Sequence, residues 1–109
     1  MKKLKKDEPI TLPRLSVKEA LILQLLIGSL HEMYGLELVE TSAGALPRGT
    51  VYVTLSRMED KGLISSRPEA APPREGGLPR RMYKPTGYGC RVYGAWQAAQ
   101  QHWTLGVAQ

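Results

Sequence analysis

Leu46-Pro-Arg-Gly-Thr-Val-Tyr-Val-Thr-Leu-Ser-Arg-Met-Glu-Asp-Lys-Gly62, running on into Leu63-Ile64-Ser65, decides how the rest of the chain is read. At about 100° per residue, Val51, Leu55 and Met58 fall on one apolar stripe, the mark of a helix laid against a core by one side. The spacing predicts that helix over residues 47–61. Thr50, Thr54, Arg57 and Lys61 cluster away from the stripe, with Val53 at the edge of the cluster. Short hydroxylated and basic side chains suit the major groove of DNA. There Ser or Thr meets any base edge, an apolar group meets a thymine methyl, and Arg takes guanine bidentately. A solvated helix face has a similar composition, so the helix alone leaves both readings open. Gly62 supplies a left-handed stop, and a strand follows.

Two helices are expected upstream. Ser16 with Glu19 forms a capping box for a helix from Val17 to Leu30 that is apolar nearly all round. A surface helix of a small domain shows one apolar stripe, so the excess points to a second chain as cover, with Leu23, Leu26 and Ile27 as interface candidates. His31-Glu32-Met33 reads as a connector. Tyr34-Gly35 opens a second helix through about Thr41, with Leu36 and Val39 facing in and Glu37 and Glu40 out. His31 reads as a helix cap or a satisfied polar group, because no His or Cys partner lies at metal spacing. Two helices, the Ser42-Ala-Gly-Ala45 turn and a third helix with a polar outer face make a helix-turn-helix.

Downstream, Leu63–Arg67 is a predicted strand, Pro68–Pro79 a turn-rich loop, and Arg80–Lys84 a second strand closed by Pro85. A hairpin with an Arg-bearing tip directly after the key helix is a wing, spanning 68–80. Arg74 lies at its tip. Arg80 and Arg81 should point to opposite faces, leaving one of them to packing or an ion pair. Thr86 can cap a last helix on which Val92, Trp96, Ala99 and Trp103 step by four, three and four, a seam like that of a coiled coil. Two exposed tryptophans would be a liability on so small a monomer, so the seam is a second sign of a homodimer. Trp96 and Trp103 also make a candidate slot for a flat effector, unless they merely fill the interface.

Composition agrees. The chain has 109 residues, enough for one small domain, and a net charge of +5, which suits a polyanionic partner. The cations are segregated into a basic arm (Lys2, Lys3, Lys5, Lys6 and Arg14) and the segment after the key helix (Arg67, Arg74, Arg80, Arg81 and Lys84). Cys90 is the one cysteine, which excludes an internal disulfide and a Cys-based zinc site. It reads as a packed residue or, less simply, a redox switch. The apolar run Ala20–Gly28 is too short for a bilayer, and Asp7, Glu8, Pro9 and Pro13 replace the apolar region of a signal peptide. A cytoplasmic protein is expected. Without a glycine-rich phosphate loop, metal cluster or nucleophile–base spacing, neither an enzyme nor a cofactor is expected.

From about Leu15 to Trp96 the sequence resembles PadR-type winged-helix transcriptional regulators, the short kind with a single C-terminal dimerisation helix. Four motifs carry the resemblance: Ser16-Val-Lys-Glu-Ala-Leu-Ile-Leu-Gln-Leu-Leu26, Tyr34-Gly-Leu-Glu-Leu-Val39, Gly49-Thr-Val-Tyr-Val-Thr-Leu-Ser-Arg-Met-Glu-Asp-Lys-Gly-Leu-Ile64 and Gly77-Leu-Pro-Arg-Arg-Met-Tyr-Lys-Pro-Thr86. The resemblance implies a homodimeric repressor whose third helices enter successive major grooves and whose wings touch the flanking backbone or minor groove. It further implies a last helix packed on the partner's first, small aromatic effectors bound near that interface, and control of the regulator's own operon. Two departures stand out. Pro47-Arg48 replaces the family's Ser-Pro lead-in, losing a capping hydroxyl and placing Arg48 where a phosphate would pass. Gly87-Tyr88-Gly89 argues for a last helix starting as late as Cys90.

The expected fold is mainly α with a small β-hairpin, a winged helix-turn-helix plus a C-terminal dimerisation helix. Its parts are a flexible basic arm (1–14), the DNA-binding domain (15–86) and the dimerisation helix (87–109). Double-stranded DNA is the expected partner, contacted by Arg48, Thr50, Val53, Thr54, Arg57, Lys61, Arg74, Arg80 and Arg81. The competing reading is a winged helix used for protein–protein interaction without DNA.

Overall fold

Ser16 caps the first helix as its spacing with Glu19 predicts. The Glu19 amide donates to the Ser16 hydroxyl at 3.1 Å, and the Ser16 amide donates to the Glu19 carboxylate at 2.9 Å. The computed structural model describes residues 14–70 and 79–108, with side chains as far as Gln101. Most of the basic arm, the wing tip with Arg74 and the Trp103 side chain lie outside the described residues. The elements are α1 (Val17–Gly28), β1 (Met33–Tyr34), α2 (Gly35–Thr41), α3 (Val51–Asp60), β2 (Ile64–Pro68), β3 (Arg81–Pro85) and α4 (Gly87–Ala108). The fold is thus mainly α with a small antiparallel sheet.

Every described element contributes to one core. Ile22, Leu23 and Leu26 of α1 meet Leu38 of α2, Val51, Leu55 and Met58 of α3, Ile64 of β2, Tyr83 of β3 and Val92 of α4. Burying each large aliphatic side chain contributes about 1.5–3 kcal/mol. Leu23, Leu26 and Val92 are 0%, 3% and 2% exposed, so they have no surface left for a partner. This corrects their assignment to a dimer interface. On α2 the innermost residue is Leu38, while Leu36 and Val39 are half-buried and Glu37 is half-buried beside the exposed Glu40. The seven-residue helix turns its inward face between the two apolar positions that the sequence favours.

Three boundaries differ from expectation. The chain leaves α1 at Gly28 because Ser29 adopts an extended backbone, and this leaves Leu30 fully exposed. Residues 48–50 form a turn, with the Pro47 carbonyl accepting from the Thr50 and Val51 amides at 3.2 and 3.1 Å, so α3 starts at Val51 and not at Pro47. The strand β1 has no counterpart in the sequence reading. Met33 lies opposite Tyr83 and Tyr34 opposite Met82, which makes β3 the centre of a three-stranded sheet ordered β1-β3-β2. Two residues are too few to show a period of two.

The helix α4 starts at Gly87, not Cys90. The Thr86 hydroxyl accepts from the Gly89 amide at 2.9 Å and donates to the Gly62 carbonyl at 2.6 Å. Gly89 lets the helix lie directly on the Leu63 carbonyl, which a Cβ at that position would strike. The glycine is therefore a packing device. Gly62 has φ +79° and provides the predicted left-handed stop. Gly89→Ala is expected to cost about 2 kcal/mol through overpacking. Gly94→Ala, where a Cβ meets nothing within 4 Å, should stabilise by about 0.5–1 kcal/mol. Urea unfolding of the two variants checks the contrast.

Candidate nucleic-acid interface

With Val51, Leu55 and Met58 buried, α3 turns Tyr52, Val53, Ser56, Arg57 and Asp60 toward solvent. This stripe is rotated from the expected one. Thr54 is half-buried, and its hydroxyl donates to the Thr50 carbonyl at 3.2 Å. Thr50, Arg48 and Val53 are exposed. Sequence reasoning placed Val53 at the edge of the polar face, whereas it lies near the middle, and it passed over Tyr52 and Ser56. The signal was available: stepping about 100° per residue from the centre of the buried trio puts Val53 and Asp60 opposite the core.

Both flanks of α3 are tied down. On the α1 side, Lys61 donates to the Glu19 carboxylate at 2.7 Å, so this lysine is committed to an ion pair. Glu19 is 5% exposed. Burial pushes its carboxyl pKa up, but hydrogen bonds from Lys61 and the Ser16 backbone, together with the Lys61 charge, outweigh that and hold it below its ordinary 4.5. A groove of about 440 Å³ runs along this flank past Lys18, Thr50 and Arg57. On the wing side, the Ser66 hydroxyl donates to Glu59 at 2.7 Å, and Arg81 Nε donates to Ser66 Oγ at 2.9 Å. Arg67 Nε donates to Glu32 at 3.1 Å, tying β2 to the segment before β1.

The two wing arginines diverge as their alternation predicts. Arg81 is exposed, whereas Arg80 is half-buried with its guanidinium carbon 4.1 Å from the Tyr34 ring centroid. A charge stacked on a ring face gains about 0.5–2 kcal/mol. His31 Nε2 donates to Glu37 at 3.0 Å, a satisfied polar role. On α4, Trp96 is half-buried and stacks on Tyr93 with centroids 6.0 Å apart, while Ala99 is exposed. Among the described residues, no group of three or more His, Cys, Asp or Glu could hold a metal ion. No described helix is long and apolar enough to cross a membrane.

The arrangement is a helix-turn-helix followed by a two-stranded wing, and the sequence model of the transcriptional regulator PadR-like family matches residues 22–95. The chain belongs to the PadR-like family. This PadR-like regulator is similar to a PadR-family transcriptional regulator from Eggerthella lenta, with 28% identity, a TM-score of 0.68, and coverage of 82% of this chain and 76% of that one. A PadR-like regulator from Bacillus cereus is 25% identical with a TM-score of 0.64, over 84% and 88% of the two chains. PadR from Bacillus subtilis, solved in complex with operator DNA, shares the fold at 22% identity and a TM-score of 0.65, over 75% of this chain and 48% of that one. No curated protein matches the chain.

Lys61→Met tests the ion pair. Glu19 has a folded pKa below its unfolded value, so its stabilisation is present above about pH 4.5 and is lost as the pH falls through the folded value. Removing one partner of a buried pair is costly, but the Lys61 side chain is 40% exposed and water screens part of the interaction. A loss near 1 kcal/mol, or about 4–8 °C in Tm, is expected at neutral pH. The gap from wild type should close in acid melts as Glu19 becomes protonated.

Proposed function

We propose that this PadR-like regulator is a homodimeric repressor that binds double-stranded DNA with α3 in the major groove. The observation that carries this reading is the outward face of α3: Val53, Ser56 and Arg57 exposed together on a helix held on both flanks. Arg57 has the donor geometry for guanine, Val53 suits a thymine methyl, and Thr50 and Ser56 suit either base edge. Arg48, exposed in the turn before α3, and Arg74 at the wing tip would meet phosphates. Such contacts give affinity and salt dependence, while the base contacts give sequence choice. The Bacillus subtilis relative crystallised with its operator is in keeping with this assignment. A cytoplasmic site of action follows from it.

Dimerisation is supported by apolar surface on α1 and α4. Ile27 is 39% exposed, Leu30 is bare, and Leu21, Leu25 and Trp96 are only half-buried. The Tyr93–Trp96 stack, with Trp103 seven residues further along α4, offers a surface for a flat aromatic effector that would release the DNA. Quenching of Trp fluorescence by a planar dye in the wild type, lost in Trp96→Ala, tests that part.

Fluorescence anisotropy with the gene's own upstream duplex against a scrambled one, at several salt concentrations, tests DNA binding. Tight, salt-sensitive binding that prefers the upstream duplex is expected. Arg57→Ala should weaken it by about 1–3 kcal/mol and narrow the preference. Lys61→Ala, by contrast, should act chiefly on stability. Absence of salt-sensitive duplex binding by the dimer would favour a protein-interaction module.

A further inference from the structure

We propose that the cleft between α2, α3 and the base of the wing is a clamp for one DNA-backbone phosphodiester, gripped by Tyr52 and Arg81 with the Arg80–Tyr34 stack behind them. The proposal rests on the DNA-binding reading above and assigns a site to one phosphate within it. The cleft has a volume of about 470 Å³, and Glu40 is the one carboxylate that lines it beside the two arginines. Its formal charge is therefore +1, matching a single phosphodiester.

The groups are held in place before any ligand arrives. Arg80 is fixed over the Tyr34 ring, and its Nε is buried without a hydrogen-bond acceptor among the described residues. A buried donor left unpaired is costly, so this end of the cleft lacks an acceptor. Arg81 commits its Nε to Ser66 and leaves its terminal nitrogens without partners among the described residues. Tyr52 is 51% exposed, and its ring lies across Gly35. A Cβ at Gly35 would come within 2.5 Å of the ring and 2.8 Å of the hydroxyl. A larger residue at 35 would thus push the hydroxyl out of the cleft.

Position favours DNA over a free anion. Tyr52 belongs both to the outward stripe of α3 and to the cleft wall, so an anion in the cleft lies beside whatever α3 faces. With α3 in a major groove, that neighbour is the bordering backbone. Tyr and Arg are both ordinary donors to phosphate oxygens.

The test combines two conservative variants with a neutralised backbone. In anisotropy titrations of the full-length protein on its operator, Tyr52→Phe should weaken binding about fivefold and leave the salt slope unchanged, since no charge is removed. Arg81→Gln should weaken binding and lower the slope by about one. A single neutral methylphosphonate walked through the operator should reveal one position at which the wild type weakens and Arg81→Gln loses nothing further. The clamp is overturned if both variants bind like the wild type, or if the Arg81→Gln penalty persists at every methylphosphonate position. It is also overturned if inorganic phosphate, at constant ionic strength and without DNA, shifts the Tyr34 and Tyr52 NMR resonances, because the cleft would then be a free-anion site. Failure of the wild type to bind any duplex would instead overturn the DNA-binding reading on which the clamp rests.

Discussion

The rotational setting of α3 is the constraint on which the functional surface depends. Val51, Leu55 and Met58 bury one face, but an apolar face alone lets a ten-residue helix roll by tens of degrees. Two polar tethers remove that freedom. Lys61 reaches to Glu19 on one flank, and Glu59 takes the Ser66 hydroxyl on the other. Both side chains come from the last turn of the helix or just beyond it. They leave Val53, Ser56 and Arg57 as the residues that any ligand of this face meets first. A charge committed to holding a helix is not available to a ligand, and Lys61 is the clearest case.

The elements with strong local chemistry were legible in the sequence. The capping box at Ser16, the buried stripe of α3, the Gly62 stop and the hairpin after it all follow from residue type and spacing. Illegible features were those that depend on contacts distant in sequence. The strand β1 is two residues long and exists because β3 offers it an edge. Gly89 reads locally as a helix breaker, yet it is needed where α4 crosses Leu63. Apolar residues of α1 and α4 counted toward a second chain are in part absorbed by the first, as Leu23, Leu26 and Val92 show.

The candidate site was read correctly in kind and imperfectly in detail for the same reason. Composition located the cations but not their partners. Of the basic residues around α3 and the wing, Lys61 is paired with a buried carboxylate, and Arg80 lies on an aromatic ring. Arg48, Arg57 and Arg81 remain exposed. Net charge therefore overstates what a polyanion would feel. Tyr52, uncharged and adjacent to the buried Val51, carried no compositional signal; it stands out only once Gly35 is seen to make room for its ring.

The seating of α4 on Leu63 has a mechanical consequence. A helix of 22 residues at about 1.5 Å per residue is a rod of roughly 33 Å, and it is gripped at one end, where Gly89 and Thr86 lock it to the segment that ends α3. Such a rod is a lever with its fulcrum next to the recognition helix. A tilt of about 5° at the fulcrum moves its far end by about 3 Å over that length, and a displacement imposed at the far end is returned as a rotation of the whole winged-helix body. Whatever holds the distal half of α4 therefore sets the angle at which α3 is presented.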